Sequence, residues 1–259
     1  MPVAAQEPAR PQLALMGTVP IYWGEAEGLE GLLDTSESGH WARPVLEREF
    51  ELVPIDYLSA DALAPHSTLM MAQPRALSAE ENVALDAWVR DGGNLLLFAD
   101  PMMTGHSHYG LGDRRRPQDV ALLSPILAHW GLELHFNEDQ PAGLQMLEID
   151  NAQVPVNLPG LFVLRDPEAG CNVTQESVQA LCLIGEGTAL LYADAAMLDF
   201  DGPHPGAETM LADLAGAMAA GFGEITGKPA PDYRTGSRTG GQRYSADGQR
   251  GASLPDTTP

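Results

Sequence analysis

The sequence predicts an α/β protein: a mostly parallel sheet with helices on both faces, a small antiparallel appendage and a C-terminal tail without a core of its own. Three observations predict it. Apolar strand-like runs alternate with amphipathic helical stretches from residue 13 onward. The runs at 68–72 and 94–99 are apolar almost throughout, the pattern of strands covered on both faces. Between 144 and 184, short runs are separated by Pro and Gly, the pattern of antiparallel strands joined by turns. The boundaries that follow are an extended segment at 1–12, an α/β domain at 13–227 with 144–184 as its appendage, and a tail at 228–259.

Taken in order, Leu13–Met16 is the first strand and His40–Arg48 a helix. Leu52-Val53-Pro54-Ile55 is the second strand, placed near a sheet edge by its proline. Thr68–Ala72 is the third, ended by Gln73-Pro74. Ser78-Ala79-Glu80-Glu81 has capping-box spacing: Ser78 accepts from a first-turn amide while Glu81 reaches back. Leu85, Trp88 and Val89 then share one helix face, Arg90 suits the negative end, and Gly92-Gly93 stops the helix. Asn94–Ala99 follows as a buried strand, completing a right-handed parallel βαβ unit. Val120–Leu123 and Ile126–Trp130 read as one amphipathic helix closed by Gly131, with Leu132–Phe136 a strand. The appendage holds Met146–Ile149, Leu161–Leu164 and Val178–Ile184. Gly187–Ala193 returns to the sheet and Glu208–Phe222 is the last helix.

Charge narrows the partners. The 259 residues hold 14 Lys and Arg against 36 Asp and Glu, a net charge of −22. Binding a phosphate backbone needs basic surface, so nucleic acid is excluded and an anionic membrane surface disfavoured. No run of 18 apolar residues exists to span a bilayer. From Lys228 onward there is one Leu and no Val, Ile, Phe, Met or Trp, too little apolar surface to offset ordering entropy. That tail has five basic and three acidic residues, which leaves −24 on residues 1–227. Ala4-Ala5-Gln6 with Pro8 and Pro11 has the character of a mature exported start, although no basic and apolar leader precedes it. An extracytoplasmic location follows if the true start lies upstream, a cytoplasmic one if Met1 is the start. Cys171 and Cys182 lack metal-site spacing and are either a hairpin disulfide, which implies an oxidising compartment, or two buried thiols.

One echo points to a site. Leu96-Leu97-Phe98-Ala99-Asp100 recurs as Leu190-Leu191-Tyr192-Ala193-Asp194, each a buried strand delivering an aspartate to its carboxyl end. Ligands of open α/β sheets bind beyond those ends, although an Asp there also commonly caps a turn. The loop 100–117 is the most site-like stretch. His106 and His108 can meet Asp100 or Asp113 around a divalent ion, the one cofactor considered; the alternative is a solvated polar loop. Arg114, Arg115 and Arg116 suit an anionic ligand or, as an internal clamp, the chain's own acids. Tyr22 and Trp23, just after the first strand, either stack on a sugar or partner side chain or close the core.

Pro74, Leu77-Ser78, Glu81, Leu85-Asp86, Trp88-Val89, Gly92-Gly93 and the strand ending Phe98-Ala99-Asp100-Pro101 resemble the extracytoplasmic domain of gliding-motility-type ABC-transporter auxiliary proteins. Leu127-x-x-Trp130-Gly131-Leu132 and the strand Gly187–Asp194 fit the same order of elements. The resemblance implies a flavodoxin- or class I glutamine amidotransferase-like fold and a non-catalytic role beside membrane transporter subunits or other envelope proteins. It departs at Ala195-Ala196, where the family runs into an Asp-rich segment, and in lacking membrane helices. No catalytic residue is assigned. The turn after Ala99 offers Asp100-Pro101 rather than a nucleophilic Cys, and Gly105-His106-Ser107-His108-Tyr109 lacks the second glycine of a serine elbow and comes too late after the strand. The main expectation is therefore a non-catalytic binding or scaffold subunit of a transport or envelope system. The alternatives are a metal-assisted hydrolase using the 100–117 loop and a carbohydrate-binding domain using Tyr22 and Trp23.

Overall fold

The structure is a computed structural model and describes residues 10–25, 39–105, 107–110, 112–149, 152–174, 176–200 and 202–223. The tail at 228–259 and most of the segment at 1–12 lie outside the described residues.

The chain runs β1 (Gln12–Gly17), α1 (Ala42–Leu46), β2 (Glu51–Pro54), α2 (Ala60–Leu63), β3 (Thr68–Ala72), α3 (Ala79–Arg90) and β4 (Asn94–Phe98). It continues with α4 (Ser124–His129), β5 (Leu132–Phe136), β6 (Gln145–Ile149), β7 (Ala152–Val156) and β8 (Gly160–Leu164). It closes with β9 (Cys171–Val173), β10 (Gln179–Ile184), β11 (Gly187–Tyr192), a short 3-10 turn at Ala196–Leu198 and α5 (Pro205–Ala219). The main sheet has the order β2-β1-β3-β4-β11-β10-β9. Its first five strands are parallel, and β10 and β9 are antiparallel additions. The expected α/β class and mostly parallel sheet are therefore present, with β2 at the edge where its proline costs no ladder bond.

Alternation along the strands builds two cores. Leu96 and Phe98 of β4 face one way, into a core with α1 and α5. Leu95 and Leu97 face the other, against α3 and α4. Fully burying each such Leu or Phe stabilises the fold by roughly 1.5–3 kcal/mol, so the β4 pattern alone fixes the sheet centre. The capping box is formed: Ser78 Oγ accepts from Glu81 N and the Glu81 carboxylate accepts from Ser78 N. Gly93 is required beyond helix geometry, because a Cβ there would run into the Trp88 ring.

Two stretches differ from the reading of the sequence. Residues 120–123 do not join the helix; they form an extended strap, with Ala121 N donating to Asp100 O and Met103 N to Asp119 O. Pro125, without an N–H, fits only the first turn, so α4 starts at Ser124. Residues 144–184 are not wholly separate from the domain. β6 pairs with β7 and β5 with β8, but β9 and β10 extend the main sheet past β11. Cys171 and Cys182 sit directly opposite each other on β9 and β10 and form a disulfide. No helix among the described residues is long and apolar enough to cross a membrane.

Candidate functional site

Because β1, β3, β4 and β11 are parallel, their carboxyl ends share one edge of the sheet. β1 and β3 close tightly there: a Cβ on Gly17 would overlap the Ala72 carbonyl. Gln73, fully buried, has a left-handed backbone (φ 48°) and holds the edge together. Its Nε2 donates to Asp100 O and Gln118 O, both at 2.9 Å, and its Oε1 accepts from Asp100 N at 2.8 Å. Thr18 Oγ1 donates to Gln73 O and accepts from Gln118 N, which brings β1 into the same clamp. Nothing in the motif reading singled out Gln73; a lone polar residue at the end of a fully apolar strand, just before a proline, was the available signal.

Asp100 and Asp194 do come together, beneath the surface rather than on it. Asp100 accepts from Met102 N at 2.8 Å and Ala195 N at 3.2 Å. Asp194 accepts from Ala196 N at 2.8 Å and Asn157 N at 3.0 Å. All four carboxylate oxygens thus tie down backbone. Burial raises the Asp100 carboxyl to about 6, against the opposing pull of the two amides. Asp194 is pushed well above the ordinary carboxylate range, first by burial and then by the charge of Asp100.

An aromatic rim is formed by the turn that follows β1. The tight turn that closes with Gly24 N donating to Pro20 O leaves Ile21 in the core and turns Trp23 outward, 75% exposed. Trp23 meets Tyr22 edge-on with ring centroids 4.7 Å apart. Arg43 stacks over Tyr22 at 4.6 Å and donates to Tyr22 O at 2.8 Å, fixing the ring from beneath. Glu25 then joins the rim to the 100–117 loop, accepting from Ser107 Oγ at 2.8 Å and His108 N at 2.9 Å.

The arginines of the loop mostly serve the loop itself. Arg115 pairs with Asp113 at 2.8 Å and lies over Tyr109 at 4.2 Å. Arg116 pairs with Asp119 at 3.4 Å and donates to Tyr109 O. Arg114 is exposed. Asp113, half-buried, is held down to about 2 by hydrogen bonds from Arg115. Among the described residues no group of three or more His, Cys, Asp or Glu could hold a metal ion. His106 lies outside the described residues, and the His108 amide faces Glu25.

No known family model matches the chain, and no curated protein matches it. Solved structures do. The N-terminal domain of mmIFT52 is 11% identical with a TM-score of 0.48, covering 80% of this chain and 96% of that one. The exo-β-1,4-mannosidase Op5Man5 from Opitutaceae bacterium strain TAV5 is 14% identical with a TM-score of 0.48, covering 82% of this chain. This chain spans 36% of the mannosidase. A cytoplasmic protein from Salmonella typhimurium LT2 is 10% identical with a TM-score of 0.41, covering 85% of this chain and 100% of that one. At these identities the likenesses lend this chain no activity, substrate or partner. Since no family model matches, the resemblance to gliding-motility-type ABC auxiliary proteins is withdrawn, and with it the amidotransferase-like label, the role in a transport or envelope system and the extracytoplasmic location. The sequence reading failed because its motif, a capped helix between two buried strands, is what any parallel α/β sheet of this kind needs.

Proposed function

We propose that the rim made by Tyr22, Trp23 and the 100–117 loop is a carbohydrate-binding surface. The observation that carries it is the indole of Trp23, 75% exposed and braced edge-on by a Tyr22 ring that Arg43 holds in place. A rigid, solvated aromatic pair offers a flat apolar face at low entropic cost, which suits the C–H face of a pyranose. Polar groups flank it: the Glu25 carboxylate and the Ser107 hydroxyl supply hydrogen-bond partners for sugar hydroxyls. The buried Asp100 carboxylate holds the start of the 100–117 loop by accepting from Met102 N.

Tryptophan fluorescence against a panel of soluble glycans tests the reading. Trp88 and Trp130 are buried and Trp41 is half-buried, so the part of a saturable change that is lost in Trp23→Ala reports on Trp23. The expected result is a saturable change with at least one glycan, abolished in Trp23→Ala while the thermal midpoint stays unchanged. A panel in which no sugar perturbs the wild-type emission sinks the proposal.

A further inference from the structure

We infer that the groove between α5 and the antiparallel end of the sheet is a second binding site, for a small molecule with an apolar body and a cationic head group. α5 packs on α1 and β7 and leaves the outer strands β10 and β9 uncovered on that face. The cleft that results has a volume of about 490 Å³, within the range of small-molecule pockets. Its floor is set by register. Gln179 faces Tyr192 across the β10–β11 ladder and Leu181 faces Leu190, so all four side chains fall on one face. Its wall is the α5 stripe of Met210, Leu214 and Ala217, at helical spacing.

The chemistry of the lining selects the occupant. The floor and wall are chiefly apolar; Gln179 donates to the Tyr192 hydroxyl at 2.8 Å, and Asn172 and Thr174 add neutral polar groups along the β9 side. Among the described lining residues the one charged group is Asp213, exposed on the α5 wall. With −24 on residues 1–227 and no basic residue in the lining, an anionic amphiphile is repelled and a cationic one attracted. The chain's own residues 228–259 fit poorly, because they offer one Leu and no Val, Ile, Phe, Met or Trp to fill an apolar cleft. The groove shares no residue with the aromatic rim, so this site stands or falls independently of sugar binding.

The test uses the full 259-residue chain, with Nile red as a neutral apolar probe at about 0.15 M salt to screen long-range attraction. Wild type is expected to bind the dye saturably with a blue-shifted emission. Dodecyltrimethylammonium, below its micelle concentration, is expected to displace it at roughly fivefold lower concentration than dodecanoate. Asp213→Asn should erase that preference and leave dye binding intact. Ala217→Trp, which fills the cleft, should abolish dye binding. Leu181→Lys, at a half-buried position, should do the same if the tryptophan variant fails to fold. The inference is overturned if wild type shows no saturable dye binding or both blocking variants bind normally. It is equally overturned if dodecanoate competes as well as the ammonium, or if dye binds only after residues 224–259 are removed.

Discussion

Gln73 turns the chain through a left-handed backbone at the end of β3, and its side chain makes two buried hydrogen bonds to Asp100 and a part-buried one to Gln118. Gln73→Ala strands the Asp100 amide in the interior, takes one of two donors from Asp100 O, releases Gln118 O and places Ala at a positive φ. Urea unfolding is expected to show a loss of roughly 2–4 kcal/mol. Asp100 makes the site sensitive to pH. With its carboxyl raised to about 6, the folded chain holds a proton there that the unfolded chain releases near its ordinary value of 3.8. The stabilisation from that proton is complete below the unfolded value and lost as pH rises through 6. His40 and His66, both lowered by burial, work the opposite way, adding stability that is lost as pH falls below their ordinary 6.5. The difference between wild type and Asp100→Asn separates these effects. Between pH 4 and pH 7 the variant should gain roughly 2 kcal/mol relative to wild type, because the rise at Asp100 is removed together with the part of the Asp194 rise that its charge causes. A difference that does not move with pH would contradict a buried, proton-holding Asp100.

At the scale of elements, local chemistry and tertiary pairing divide cleanly. Capping box, strand ends and helix stop around α3 were all legible, because each depends on residues within a few positions of one another. Glu81 does more than its spacing indicated. It is buried, accepts from Leu58 N and Arg75 as well as Ser78 N, and is held at about 2, chiefly by the Arg75 hydrogen bonds. The strap at 120–123 was illegible from periodicity, since alternation and helical spacing coincide over four residues and its partner, the 100–103 turn, is remote in sequence. The disulfide belongs to this scale too. It joins two strands across a separation of 11 residues and pins the edge strand β9, only three residues long, to β10. Replacing both cysteines with Ala should cost about 2–3 kcal/mol in urea unfolding. The same change should speed amide exchange in β9 and β10 selectively, while β3 and β4 stay protected.

For the whole molecule, the excess of 36 acidic over 14 basic residues sets a measurable cost of compaction. Raising sodium chloride from about 0.02 to 0.3 M should lift the thermal midpoint, because screening weakens self-repulsion over distances near 10 Å. A midpoint that falls with salt would mean that the surface ion pairs outweigh that repulsion. The resolved pairs, such as Arg48–Glu208 and Arg165–Glu133, are solvent-exposed and too weak to do so. By itself the sequence determined the α/β class, the buried central strands and the charge, since these follow from composition and from patterns a few residues long. The placement of β5 outside the main sheet, the joining of β9 and β10 to it, the sinking of Asp100 and Asp194 below the surface and the meeting of Glu25 with Ser107 and His108 were decided by tertiary structure alone. Each is a contact between segments remote in sequence, and whether a carboxylate ends up solvated or buried depends on which loops close over it rather than on the strand that delivers it.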